Sequence, residues 1–358
     1  MAYSKKYNII EFLKINIKIT MSTLTKAAVL FKTNQPLKII NINLPDPKKG
    51  EVLVKVHFSG ICHTQLLETQ GKGAGGSFVP NLMGHEGAGI VLKVGKGVKK
   101  VKEGDFVVLS WIKGRGLNVL PSPIKYKNFK INRGPITTFS QHTVVSENRV
   151  FPISKKIPFN VSSLLGCAVP TGMGMVFNNA KLKKNSSIAI IGCGGIGINA
   201  IHASKIAGAK TIIAIDSNKS KKKYALLFGA THFINSNNNN LIKNIEKVTK
   251  NELDYAIDTV GQKATMELAY HITNKFTGKT ILCGVPNPLN LQISINPFPL
   301  YYGKKLVGTG GGETIPDKDL KKYANMYLNK KLLLDKMISN VVSLNDINLG
   351  FELMKKGK

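Results

Sequence analysis

Three side chains far apart in the sequence, Cys62, His85 and Cys167, have the chemistry to hold a metal ion together. Singly, each is ordinary. A buried cysteine is most often a small apolar residue, and a histidine is often a satisfied core group. Their settings change the reading: Gly60-Ile61-Cys62-His63-Thr64 follows an expected strand, and Gly84-His85-Glu86-Gly87 precedes another. Two thiolates and one imidazole suit zinc and leave one tetrahedral position open, the pattern of a catalytic rather than a structural site. The thiolates cancel the formal charge of Zn²⁺, yet the ion can still lower the pKa of a bound alcohol as it does that of water.

A second group is built from glycine. Gly192-Cys193-Gly194-Gly195-Ile196-Gly197 lies between an expected strand, Ser187-Ile188-Ala189-Ile190-Ile191, and a helix running through Asn199, Ala203 and Ala207. That context is the one a dinucleotide fingerprint requires. The first glycine allows a tight turn, the second lets backbone approach a pyrophosphate, and the third lets the helix pack on the strand. Helix N-terminal N–H groups then face the phosphates. Asp216 ends the next strand, where its carboxylate can accept from both hydroxyls of an adenosine ribose and would repel a 2′-phosphate. The expected cofactor is therefore NAD rather than NADP.

The elements around these residues fall into two kinds. From Lys26 to about Val150, short strands are separated by glycine: Val52, Val54 and Val56 alternate, and Ala88–Val91 and Phe106–Leu109 read as further strands. Such spacing predicts a small barrel or sandwich. The stretch from Trp111 to Pro135, rich in Gly, Lys, Asn and Pro, reads as an irregular lobe. Beyond a linker-like stretch flanked by Pro152 and Pro158, strands at 187–191, 211–215, 254–258 and 279–283 alternate with helical segments. That is an α/β pattern with a parallel sheet covered on both faces. From Asp317 the chain is helical, with Leu320, Tyr323, Met326 and Tyr327 at helical spacing.

With these motifs in place, the sequence resembles the zinc-dependent medium-chain alcohol dehydrogenases, and within them the glutathione-dependent formaldehyde dehydrogenase (class III) branch. The resemblance runs from Met21 to Lys358. It rests on GICHT at Gly60, GHEGAGIV at Gly84, GCAVPTGMG at Gly166, GCGGIG at Gly192 and IIAIDSNKSK at Ile212, with weaker echoes in INPFPL at Ile295 and FELMKKGK at Phe351. It implies an α/β protein with a GroES-like, β-rich catalytic domain and a Rossmann doubly wound parallel-sheet domain. The implied division is an N-terminal extension at 1–20, the catalytic domain at 21–168, the NAD-binding domain at 169–314, and a segment at 315–358 that packs back on the catalytic domain. It implies reversible hydride transfer between an alcohol and NAD, with Cys62, His85 and Cys167 as the ligands of one catalytic zinc per chain. Glu86 would be a carboxylate behind the metal, and Thr64 would pass the alcohol proton outward. His63 would lie by the cofactor pyrophosphate, Thr171 by the nicotinamide, and Lys221 by the adenosine ribose, beside Gly192, Gly194, Gly195, Gly197 and Asp216. The partner is a small alcohol or aldehyde, S-(hydroxymethyl)glutathione among the choices, and the assembly a homodimer or homotetramer.

The sequence also departs from that family. Its structural zinc lobe uses four closely spaced cysteines, whereas residues 111–135 contain none, so that second zinc is not expected. The carboxylate that usually holds the ligand histidine is Gln65 here, an amide able to accept from the imidazole N–H. The frequent distal histidine of the proton relay is Leu67. The chain stops at Gly357-Lys358, where the family normally continues to a pyrophosphate-binding arginine and a final strand.

Composition bounds the alternatives. Lys+Arg number 51 against 20 Asp+Glu, a formal charge of +31. Only Arg115, Arg133 and Arg149 are arginines, and the lysines are spread along the chain, which counts against a nucleic-acid surface. No run of about 18 apolar residues goes uninterrupted, so no membrane span is expected. Residues 1–20 lack the apolar core and cleavage site of a signal peptide. Four cysteines do not make a disulfide scaffold, and a cytoplasmic location is expected. A polyol or sugar dehydrogenase of the same superfamily is the competing enzyme reading. A non-catalytic relative kept for binding is disfavoured, because it need not retain three dispersed ligands.

Overall fold

The computed structural model describes residues 22–72, 78–250 and 253–357. The expected extension at 1–20 lies outside the described residues. Two five-stranded sheets make up the first part. One runs in the order Lys38–Leu44, Thr23–Leu30, Asn81–Leu82, Phe129–Arg133, Ile124–Tyr126. The other runs Val150–Pro152, Phe106–Ser110, Glu86–Val94, Glu51–Ser59, His142–Ser146. Successive side chains of a strand point to opposite faces, and Glu51–Ser59 uses both. Val52 and Val54 join Val91, Val107 and Leu109 in one apolar cluster, while Leu53 joins Ala27, Val29 and Ile42 in another. Register shifts at Leu53/Val54 and Val56/Phe58 bend this strand, as bulges do, just before it delivers Gly60 and Cys62.

The stretch from Trp111 to Pro135 is more ordered than expected. Ile124–Tyr126 and Phe129–Arg133 pair antiparallel as a hairpin, and the second strand runs parallel to Asn81–Leu82. Ile124 and Ile131 are buried while the lysines between them face outward.

The second sheet system has six parallel strands in the order His232–Asn235, Thr211–Asp216, Ser187–Ile191, Tyr255–Asp258, Lys279–Leu282, Lys305–Gly308. In chain order this is 3-2-1-4-5-6, the Rossmann arrangement, as expected. Ile188 and Ile190 pack on one face and Ala189 and Ile191 on the other, so the strand reads as continuously apolar. The glycine turn leaves its carboxyl end where strand order reverses, the usual ligand crevice of such sheets.

Two late helices reach the first part. Leu320, Tyr323 and Ala324 of Pro316–Leu328 share a core with Val108 and Phe151, and Lys100 pairs with Asp317 at 2.7 Å. Ile347 and Phe351 of Ile347–Lys355 pack with Ala28, Leu30, Leu66 and Phe139. Among the described residues no single helix is long and apolar enough to cross a membrane. The apolar helical pair Phe159–Gly166 and Ala168–Ala180 is bent by 52° at Cys167 and packs in the core.

Candidate active site

Cys62 immediately precedes the helix His63–Thr69, His85 the strand Glu86–Val94, and Cys167 the helix Ala168–Gly174. The fold brings these termini together. One ligand atom each from Cys62, His85, Glu86 and Cys167 lies within 4.8 Å of all the others. Glycines permit the approach. Gly84 has φ +94°, and a Cβ there would stand 2.6 Å from the Phe139 nitrogen; a Cβ on Gly166 would stand 2.4 Å from the Leu109 carbonyl oxygen.

His85 Nε2 and Glu86 Oε2 are buried and make no well-aligned hydrogen bond, a costly condition in a low-dielectric interior. Contact with Cys167 pulls the Cys62 thiol well down, and contact with Cys62 pushes the Cys167 thiol well up. Burial alone would lower the His85 imidazole, but the Cys62 thiol and the surrounding negative groups raise it to about 9. Burial, then the charge of Cys62, raises Glu86 to about 8. A divalent cation would displace these protons, as metal binding generally does, and would satisfy the partnerless nitrogen. Two sulfurs and an imidazole fit zinc.

Neighbouring groups steady the cluster. The Thr64 backbone N–H donates to the Cys62 sulfur and that of Ala168 to the Glu86 carboxylate. Two contributors, Trp111 and Glu68, were not expected from the sequence. Trp111 donates its indole N–H to Cys167 Sγ at 3.2 Å. Gln65 does not offer its carbonyl to the histidine. Its Oε1 accepts from the Gly84 backbone N–H, so Nε2 faces Glu68 at 2.8 Å and His85 Nδ1 at 3.2 Å. A helical i, i+3 spacing, Gln65 to Glu68, was the only signal for this pairing.

The dinucleotide group is laid out as its spacing demands. Gly192 has φ +93°, and a Cβ on Gly197 would stand 1.8 Å from the Gly192 carbonyl oxygen. Nothing lies within 4 Å of a Cβ on Gly194, which leaves room above the turn for a phosphate. The helix Gly195–Ile206 has no side-chain cap, so its first N–H groups are available to an anion. Asp216 accepts from the Cys193 N–H at 2.7 Å and the Asn218 N–H at 2.8 Å, holding its carboxylate at the turn. Thr171 is buried with its hydroxyl unpartnered, and His63 is exposed. Lys221 donates to the Gly357 carbonyl at 2.9 Å.

Comparison with known proteins gives the chemistry a family. Residues 195–328 match the model for zinc-binding dehydrogenases, and residues 48–155 that for the alcohol dehydrogenase GroES-like domain. The chain is 35% identical to S-(hydroxymethyl)glutathione dehydrogenase of Paracoccus denitrificans, over 93% of this chain and 97% of that protein. The chain belongs to the zinc-dependent alcohol dehydrogenases. It is also 34% identical to the class-3 alcohol dehydrogenase of Cereibacter sphaeroides, with the same coverage. Among solved structures, benzyl alcohol dehydrogenase of Acinetobacter calcoaceticus superposes with a TM-score of 0.85 at 26% identity, over 94% of this chain and 97% of that one. The GroES-like and Rossmann expectations hold, and this zinc-dependent alcohol dehydrogenase is an oxidoreductase acting on small alcohols or aldehydes.

Proposed function

We propose that this zinc alcohol dehydrogenase oxidises a primary or secondary alcohol, or reduces the aldehyde or ketone, with NAD, and that Cys62, His85 and Cys167 hold one catalytic zinc. The observation that carries the reading is the cluster in which one ligand atom each of Cys62, His85, Glu86 and Cys167 lies within 4.8 Å of the others, with His85 Nε2 buried and without a well-aligned hydrogen bond. When bound, zinc supplies Lewis-acid polarisation of the substrate oxygen and NAD accepts the hydride.

The chain's own residues do the rest. Thr64, half-buried beside Cys62, takes the proton of the substrate hydroxyl and passes it outward. The buried Glu86 carboxyl stands behind the cluster as a reserve of charge. Trp111, hydrogen-bonded to Cys167 and 36% exposed, offers an indole wall beside the metal ligands. Thr171 orients the nicotinamide, and His63 with the first N–H groups of Gly195–Ile206 meets the pyrophosphate. Asp216 receives the adenosine ribose, with Lys221 at its edge. Holding both reactants in one crevice makes the transfer effectively unimolecular.

The division into residues 21–168, 169–314 and 315–358 is part of the same proposal, with the crevice between the first two. So is a cytoplasmic homodimer or homotetramer with neither nucleic acid nor membrane as a partner. The exposed Phe298, Tyr301 and Tyr302 beside the edge strand Lys305–Gly308 support self-association. The similarity to S-(hydroxymethyl)glutathione dehydrogenases favours that adduct as substrate. A substrate panel, with and without glutathione, read by NADH absorbance, tests it. Turnover of formaldehyde that requires glutathione supports the adduct; preference for a polyol or sugar overturns it.

A further inference from the structure

The family's carboxylate at position 65 is an amide in this chain, and the structure shows where its task has gone. Gln65 is buried in the helix His63–Thr69, and its two amide atoms are sorted by their partners. The Gly84 backbone N–H can only donate, so it fixes Oε1. The Glu68 carboxylate accepts from Nε2 at 2.8 Å. The nitrogen is therefore what meets His85 Nδ1, at 3.2 Å. That contact suits a ring whose proton sits on Nε2, because Nδ1 then accepts. A ring that gives Nε2 to a metal carries its proton on Nδ1, and a buried N–H needs an acceptor. Gln65 cannot supply one without abandoning Gly84 and turning its carbonyl towards a carboxylate. Glu68 can: it lies no more than two hydrogen-bond lengths from Nδ1, bridged by the same amide nitrogen.

We propose that Glu68, hydrogen-bonded to Gln65 beside the imidazole, is the positioning carboxylate of His85, and that it closes on the ring to accept a hydrogen bond from Nδ1–H when Nε2 is committed to the metal. Glu68 touches neither substrate nor metal and acts through the histidine. It sits one turn further along the helix than the family's carboxylate, and because the amide nitrogen only donates, the Glu68 carboxylate itself must close the distance to Nδ1–H. A carboxylate behind a ligand histidine fixes the ring's tautomer and raises its basicity towards the metal. The inference rests on the reading of Cys62, His85 and Cys167 as zinc ligands.

The test is zinc retention, measured without turnover. Wild type, Glu68→Gln, Gln65→Asp and the double variant are loaded with zinc, and release to a chromogenic chelator is followed. Glu68→Gln keeps the shape and removes the charge, so zinc should leave about 10- to 100-fold more readily. Gln65→Asp in that background restores a carboxylate at the family's position and should return retention towards wild type. Thermal unfolding and NAD binding of all four proteins check the fold. Release from Glu68→Gln at the wild-type rate overturns the proposal, as does a folded double variant with no recovery. Wild-type protein that takes up no zinc would instead overturn the metal-site reading itself.

Discussion

At the scale of single residues, cofactor choice turns on Asp216. Its carboxylate is pinned by the N–H groups of Cys193 and Asn218, at the position proposed above to receive the adenosine ribose. Hydrogen bonds from ribose hydroxyls to an ionised carboxylate are of the stronger kind, whereas a 2′-phosphate would meet a like charge. Removing the repulsive element is often what changes specificity. Asp216→Ser should therefore narrow the preference for NAD over NADP by about 10- to 100-fold in kcat/KM, the worth of a charge-assisted hydrogen bond. Steady-state kinetics with both cofactors check it, and unchanged discrimination would remove this role from the carboxylate. That Cys62, His85 and Cys167 come together could be read from the sequence because each sits in a recognisable glycine-flanked context. Position 65 was expected beside His85, but the part of Glu68 was not, because nothing in the sequence says which way the Gln65 amide turns or that a carboxylate one turn on meets it. Trp111 was hidden for a similar reason: its contact with Cys167 spans 56 positions.

At the scale of elements, the expected strands follow from alternation or from continuous apolar runs, and their observed ends differ from expectation by up to three residues. The hairpin Ile124–Arg133 does not. Its inward Ile124 and Ile131 are separated by lysines and asparagine, so composition masked a two-residue period. The surrounding lobe contains no cysteine and is tied down by acids instead. Glu147 accepts from the backbone N–H groups of Lys99, Lys100 and Leu117 at 2.6, 2.8 and 2.8 Å. Asp317 accepts from the Arg115 N–H at 2.6 Å and pairs with Lys100. Burial alone would raise the Glu147 carboxyl, but these donors and the Lys100 charge hold it below its ordinary 4.5. Its contribution is thus complete above that value and is lost as pH falls through the lower folded-state pKa. The chain's single tryptophan, Trp111, opens this lobe and reports on it. Acid titration of its fluorescence should show a step below pH 4.5 that Glu147→Gln abolishes. That variant should also lose about 1–3 kcal/mol at neutral pH. An unchanged titration would mean the lobe is held by something else.

At the scale of the whole molecule, a formal charge of +31 surrounds a site that takes an anionic cofactor. Such a field raises the local concentration of anions and is screened by salt. The KM for NAD should rise several-fold between about 50 mM and about 500 mM KCl, with kcat little changed; a KM indifferent to salt would confine the charge to a bystander role. The parallel sheet was expected from the alternation of strand and helix, and its order follows the Rossmann arrangement at the point where the glycine turn emerges. The expectation sent residues 315–358 back to the first domain without naming the side chains that receive them; Ile347–Lys355 docks on Leu66 and Phe139, contacts that a helical period alone does not specify. The central claim concerns one metal held by three distant residues, and elemental analysis tests it most directly, run on wild type and on Cys62→Ser beside turnover and NAD binding. The account predicts one zinc per chain in wild type, and loss of zinc and turnover together in Cys62→Ser while NAD still binds. Two tightly held zincs per chain, or a Cys62→Ser protein that keeps its zinc and its activity, would contradict it.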